Sequence, residues 1–320
     1  MSKPSERNYG HSAYARLLAF AKNNRLDFTF ALQRYAMERL LYRMSKSIYA
    51  DKFILKGASL FLVWKGHSFR VTKDADFLAF GFLNEDSLAS IFKEIVSIPG
   101  CEDDGLGFEP DSIRAAPIRE EQEYGGIRVT LTALLHNARI PLQIDVGFGD
   151  AVTPAPEIVT YPSALGYPAA HLRAYTRYTV VAEKLEAMVQ LGIADSRMKD
   201  FYDIWLMSRL FDFHLVTLCS AIQDTFKRRK TDLPKTAPMA LTEEFWGDAQ
   251  KRTQWNAFLR KSKPEGAESD FEKIVTAIAD FLLPALQAIQ AEEMLNRHWE
   301  SGGPWREVKG KDRARPAPRE

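Results

Sequence analysis

The sequence predicts an α+β fold, with a mixed sheet and flanking helices in the first half and a mainly helical C-terminal half. Three observations predict it. Apolar residues recur at helical spacing before Phe53 and again beyond Tyr178, runs of strand length fill the stretch between, and prolines and glycines cluster where one character gives way to the other. The chain has 320 residues, 46% hydrophobic and 27% charged, enough for two or three domains of ordinary globular composition. The division read from these changes is N-terminal helices over 1–50, a sheet-bearing core over 51–160, a helical domain over 161–300 and a disordered basic tail over 301–320.

Composition also narrows function. The net charge is +1, so any nucleic-acid contact must come from local basic patches rather than a global field. The two cysteines, Cys101 and Cys219, lie far apart without metal-ligand spacing and read as bystander thiols. The N-terminus lacks the apolar stretch of a signal peptide, and no apolar run reaches the ~18 residues of a membrane span. No membrane partner is expected, and the cytoplasm is the default compartment.

In chain order, residues 12–48 read as helices: Tyr14, Leu17, Leu18 and Ala21 share one face, and Met37, Leu40, Leu41, Met44 and Ile48 continue at helical spacing. Arg34, Arg39, Arg43 and Lys46 lie among them, either as a solvated basic face or as the edge of an RNA-binding groove. Phe53, Ile54 and Leu55 make a short strand that stops at Lys56-Gly57, a glycine turn suited to close approach of a phosphate. Leu60, Phe61, Val63 and Trp64 suit a short helix just beyond Ser59. Asp74 and Asp76 follow in a strand context, where alternation puts both carboxylates on one face; a divalent cation relieves their repulsion, and oxygen-only ligation suits Mg²⁺ or Mn²⁺.

Leu88, Ile91, Phe92, Ile95 and Val96 form an amphipathic helix stopped by Pro99-Gly100, and an acidic loop spans 101–107. Ile127 to Leu135 reads as a strand after Gly125-Gly126. In Ile140 to Asp150, Leu142, Ile144, Val146 and Phe148 take one strand face and leave Gln143, Asp145 and Gly147 on the other; Asp145 is either a third active-site carboxylate or a plain strand aspartate. Prolines 154, 156, 162 and 168 mark 151–170 as a linker or lid.

Helices then dominate. Val181, Leu185, Met188 and Leu191 make one apolar face, ended by Gly192. Lys184 beside that face either snorkels or reaches a nucleotide triphosphate. In the next helix Asp200 and Asp203 share a face, either as first-turn acids with a Lys199 to Asp203 pair or as groups that orient Lys184 or touch substrate. Helices over 215–229, 241–259 and 271–299 follow; the basic clusters at 227–230 and 251–263 lie near Phe226, Trp246, Trp255 and Phe258, either as solvated faces or as an RNA-binding surface.

Taken together, Lys56-Gly57-Ala58-Ser59, Arg70 to Asp76, Ile144 to Asp150, Ala182 to Ala187 and Ser196 to Asp203 resemble the AbiEii/AbiGii toxin-like nucleotidyltransferases of the polymerase-β-like superfamily, from about residue 7 to about residue 210. The resemblance implies a nucleotidyltransferase-type sheet and a toxin of a toxin–antitoxin or phage-defence pair. It also implies transfer of a nucleotide from an NTP to an RNA acceptor, the tRNA 3′ end in related enzymes, with a cognate antitoxin as protein partner. It makes Asp74 and Asp76 the metal pair, Gly57 and Ser59 the phosphate turn, Lys184 the triphosphate lysine, and Asp200 and Asp203 the late acidic motif. Ala58 departs from the pattern, where many relatives carry Gly or Ser, and the spacer from Gly57 to Asp74 is longer than the minimal form. On this reading Asp145 binds a second metal or takes the proton of the attacking hydroxyl. Lys56, Arg70 and Lys184 offset charge on the pyrophosphate, and Thr72 positions nucleotide or is a regulatory phosphorylation target. The rivals are an inactive scaffold that binds antitoxin or RNA, and a two-metal nuclease or phosphohydrolase.

Overall fold

The computed structural model describes residues 8–70, 74–81, 83–100, 104–118, 125–293 and 295–308. The chain divides into two units, one of residues 1–150 and 156–175, the other of 151–155 and 176–320. The N-terminal helices thus belong to the same unit as the sheet.

The first unit runs α1 (Tyr9–Asn23), α2 (Phe28–Lys46), β1 (Phe53–Lys56), α3 (Ser59–Lys65), β2 (Asp74–Ala79), α4 (Glu85–Ser97), β3 (Leu106–Ile118), β4 (Gly126–Leu135), β5 (Ala138–Phe148), β6 (Glu157–Tyr161) and β7 (Ala170–Ala174). Its seven strands lie in the order β3-β4-β5-β2-β1-β7-β6. The β2/β5 and β1/β7 pairs are parallel and the others antiparallel. Helix starts follow local chemistry: Asp27 accepts from Phe30 N–H at the head of α2, and Asn84 and Ser87 form a reciprocal capping box at α4.

The two faces of the sheet differ because the strands alternate. In β5 the side chains of Leu142, Ile144 and Val146 are buried while Gln143, Asp145 and Gly147 are half-buried; in β4 Ile127, Val129 and Leu131 are buried while Arg128 is not. α2 and α4 cover the apolar side, where Phe92 of α4 meets Phe53 edge-on at 6.0 Å. The polar side carries the charged residues treated below.

α2 is not a basic surface. Arg39 is fully buried and Arg43 nearly so, which overturns both the solvated face and the RNA groove for these two residues. Asp104 draws them in: it lies 3.3 Å from Arg43 Nη1 and 3.4 Å from Arg39 Nε, and Arg43 also donates to the Leu106 carbonyl at the start of β3. Two turns of helix suffice to reach the other sheet edge, since Arg39 donates to the Pro168 carbonyl and Glu38 accepts from Ser163 and Ala164 in the β6–β7 loop. Burial pushes the Glu38 carboxyl above its ordinary value against those hydrogen bonds. α2 therefore braces β3 and the β6–β7 loop, at opposite edges of the sheet.

Residues 151–170 are no simple linker: β6 pairs along its length with β7, and Tyr161 is buried. Prolines 154, 156, 162 and 168 fall outside β6 itself, so the strand keeps its donors.

The second unit comprises α5 (Arg177–Leu191), α6 (Met198–Leu210), β8 (Phe213–His214), α7 (Leu215–Arg229), α8 (Glu243–Gly247), α9 (Ala249–Ser262), α10 (Phe271–Gln290), β9 (Arg297–Trp299) and β10 (Trp305–Glu307). The helix expected over 241–259 breaks at Asp248, which caps α9 by accepting from Lys251 N–H. The one expected over 271–299 ends at Gln290, and β9 joins β8 and β10 in a small sheet. The stretch from Ser301 to Val308, expected to be disordered, is anchored: Trp305 Nε1 donates to the Phe281 carbonyl at 2.9 Å and its ring stacks on Phe281. Residues 309–320 lie outside the described residues.

Much of the expected basic and aromatic surface is internal. Phe226 and Trp255 are core residues, and Lys251 is buried, donating to the Asp195 carbonyl at 2.7 Å. Arg229 pairs with the buried Glu186 at 2.7 Å, where Thr231 also donates. Cys219 is a half-buried free thiol, pushed up to about 11 by burial, and Cys101 lies outside the described residues.

Asp104→Ala leaves the two buried guanidinium groups of α2 without their shared carboxylate. We expect a loss of about 3–5 kcal/mol of unfolding free energy, measured by urea denaturation.

Candidate active site

Strand register assembles the site on the polar face of the first unit. Asp76 of β2 stands opposite Asp145 of β5, Asp145 opposite Arg128 of β4, and Asp76 opposite Lys56 of β1. Four adjacent strands thus present one row of charges, Arg128, Asp145, Asp76, Lys56. Asp74 lies two residues before Asp76 on the same face, opposite Gln143.

Neighbouring carboxylates on paired strands repel, and the flanking cations answer this. Arg128 grips Asp145 with both ends of its guanidinium, Nε to Oδ1 at 2.8 Å and Nη2 to Oδ2 at 2.7 Å. Lys56 Nζ sits 3.0 Å from Asp150 Oδ2 and 5.5 Å from the Tyr175 ring. No local sequence pattern assigns Asp150 or Arg128 a role. The signal available was alternation alone: Arg128 is the basic residue on the polar side of a strand whose other side is Ile127, Val129 and Leu131.

Gly57 has φ +75°, the left-handed conformation expected of the turn after β1. A Cβ there would meet Asp76 Oδ2 at 2.0 Å. Glycine is thus required twice, by the backbone and by the carboxylate lying against it. Ser59 opens α3, is buried, and lies with its Oγ 3.3 Å from the Lys56 carbonyl. Arg70 is half-buried, and Thr72 lies outside the described residues.

The residues present fit one oxygen-ligated divalent cation at Asp74 and Asp76. These are two carboxylates on one strand face, a set that Mg²⁺ commonly completes with substrate phosphates and water. They do not form the expected three-carboxylate cluster. Among the described residues no group of three His, Cys, Asp or Glu is placed to hold a metal ion, and Asp145 is already engaged by Arg128.

Lys184, Asp200 and Asp203 form their own cluster in the second unit. Lys184 Nζ lies 2.5 Å from Asp200 Oδ1 and 3.0 Å from Asp203 Oδ2, and both aspartates are buried. Asp203 therefore pairs with Lys184 across the helices rather than with Lys199 on its own helix. Arg197 Nε reaches to 2.9 Å of Asp200 Oδ2, an ion contact without hydrogen-bond alignment. Burial would raise the Asp200 carboxyl, but Lys184 and Arg197 outweigh it and hold the group below its ordinary value.

A family profile described as nucleotidyl transferase AbiEii toxin, type IV toxin–antitoxin system, matches residues 39–277. The chain belongs to this family. As an AbiEii protein it is a nucleotidyltransferase of a toxin family, whose systems pair the toxin with an antitoxin. No curated protein is found to match it. Two similar solved structures are both from Helicobacter pylori. JHP933 is 12% identical, with a TM-score of 0.49 over 83% of this chain and 96% of its own. A putative nucleotidyltransferase is also 12% identical, with a TM-score of 0.49 over 84% of this chain and 99% of its own. No helix among the described residues of this AbiEii protein is long and apolar enough to cross a membrane.

Gly57→Ala should cost about 1–2 kcal/mol from the left-handed backbone alone and displace the Asp76 carboxylate. The expected result is a lowered unfolding midpoint. A variant with the wild-type midpoint contradicts the packing described. For Asp200, a carboxyl held below its ordinary value makes stability rise with pH up to about 3.9 and level off above. Asp200→Asn should flatten that acid limb in unfolding curves recorded from pH 2 to 6.

Proposed function

We propose that the polar sheet face transfers a nucleotide from an NTP to a hydroxyl of an RNA acceptor, the tRNA 3′ end. The observation that carries the reading is Asp74 and Asp76 on one face of β2, with Gly57 packed against Asp76. Family membership supplies the reaction class. In the transfer the acceptor oxygen bonds to the α-phosphorus, the bond from that phosphorus to the pyrophosphate oxygen breaks, and the hydroxyl proton is lost to water.

Phosphoryl chemistry asks mainly for position and charge neutralisation. A divalent ion, Mg²⁺ or Mn²⁺, held by Asp74 and Asp76 supplies charge neutralisation at the triphosphate. The turn at Gly57, with Ser59, receives the phosphates. Lys56 and Arg70 offset charge on the departing pyrophosphate. The same reading gives Lys184, oriented by Asp200 and Asp203, a part in triphosphate binding; the buried clamp on its ammonium is what supports it. The substrates belong to the cytoplasm, where we place the protein, with an antitoxin as its protein partner.

The test is incubation of purified protein with each α-labelled NTP and bulk tRNA. Wild type should add label to the RNA 3′ end in the presence of Mg²⁺ or Mn²⁺ and stop on chelation. Asp74→Ala and Asp76→Ala should each lower the rate at least a hundredfold while leaving the melting transition in place. Label transfer by Asp74→Ala at the wild-type rate overturns the proposal, and shortened RNA without extension selects hydrolysis instead.

A further inference from the structure

We propose that a small cavity in the first unit reads the sugar of the incoming nucleotide: Gln33 and Arg34 of α2 bind its two ribose hydroxyls, so that ribonucleotides are taken in preference to deoxyribonucleotides. The inference rests on the nucleotidyltransferase reading above and deepens it by assigning sugar selectivity to two residues of the N-terminal helices.

Three observations carry it. The cavity is walled by residues of α2 together with Ser59 and Asp74, so it borders both the turn and the strand end on which the proposed site is built. Gln33 and Arg34 lie in its lining, and each holds a buried polar atom with no hydrogen-bond partner among the described residues, Oε1 of the amide and Nε of the guanidinium. Its volume is about 30 Å³, where one water-sized group needs roughly 10–15 Å³. Two hydroxyls fit such a space, and a nucleobase does not.

The surroundings leave these two groups to a ligand. Glu38 lies one helical turn beyond Arg34, but its carboxylate is committed to the Ser163 hydroxyl and the Ala164 N–H. Arg34 stands instead over the Phe20 ring, its guanidinium carbon 5.5 Å from the centroid, a contact that consumes no hydrogen-bond donor. Phe30, Met37 and Leu62 supply apolar walls. A buried polar atom is costly when unpaired, and native structures rarely leave one without a ligand or water to complete it. One acceptor and one donor match a pair of neighbouring hydroxyls, because each hydroxyl both donates and accepts. The same property makes the match hold for either orientation of the Gln33 amide. A deoxy sugar leaves one of the two protein groups unpaired, which is how a site built to bind a hydroxyl rejects the analogue that lacks it.

The test compares sugars at constant base. Initial rates of label transfer to bulk tRNA are measured with each α-labelled NTP and with its 2′-deoxy and 3′-deoxy forms. Wild type should favour the ribonucleotide over each deoxy form by at least about tenfold in kcat/KM. Gln33→Met and Arg34→Met should each bring the ratio for one of the deoxy forms to within about threefold of unity. A variant that is only less well folded lowers every rate and keeps the ratio, so selectivity separates a sugar contact from a structural role. Arg34→Lys keeps the charge but lacks Nε; it should lose selectivity as Arg34→Met does, and it covers the case in which the methionine variant does not fold. Equal use of ribose and deoxyribose by wild type, or the wild-type ratio in folded variants, as expected if the cavity holds only water, overturns the inference. The underlying reading fails separately: wild type would then transfer label from neither sugar.

Discussion

Two carboxylates on neighbouring strands of one sheet face constrain everything around them. Asp76 and Asp145 are register partners in a parallel pair, about 5 Å apart at their β-carbons by ordinary sheet geometry. Both are only half-buried, less shielded than the apolar face behind them. The sheet solves the problem laterally. A guanidinium stands on the outer side of one and an ammonium on the outer side of the other, so charge alternates in pairs across four strands.

The second unit meets the same problem with a different geometry. There the acids come from successive turns of α6 and the cation from α5, and a single ammonium is divided between two buried carboxylates. Elsewhere on α5, Glu186 is paired with Arg229. These charged side chains inside the second unit are therefore paired from one helix to the next, which offsets the cost of burying them. That pairing explains why a chain with so many charged residues shows fewer exposed basic clusters than its sequence suggests.

Periodicity made the helices and the central strands legible, because alternation and the 3.6-residue repeat report burial directly. It also put Asp74, Asp76 and Asp145 on one face, since face is a property of parity within a strand. Parity does not say which strand lies next to which. The partnership of Arg128 with Asp145 depends on β4 pairing with β5, a long-range fact with no local signature. The same blindness misread α2. Arg39 and Arg43 look like a solvated stripe until Asp104 arrives from far along the chain to bury them. β3 and β6 to β10 are not legible for other reasons: β3 lacks clean alternation, and the others are only two to five residues long, several of them beside prolines or glycines that mark turns more strongly than a few residues mark a strand.

The brace formed by α2 has a bearing on where this fold begins. The family match starts at residue 39, on the helix and one position after Glu38. A fragment trimmed to that match would keep Arg39 and Arg43 but discard the carboxylate that grips the β6–β7 loop and Tyr35, whose hydroxyl donates to the Asp104 carbonyl. It would also strip away α1, which packs on α2. Sequence likeness and mechanical integrity thus have different left-hand limits in this protein. The smallest self-sufficient piece of the sheet-bearing half must include residues that the shared pattern does not reach.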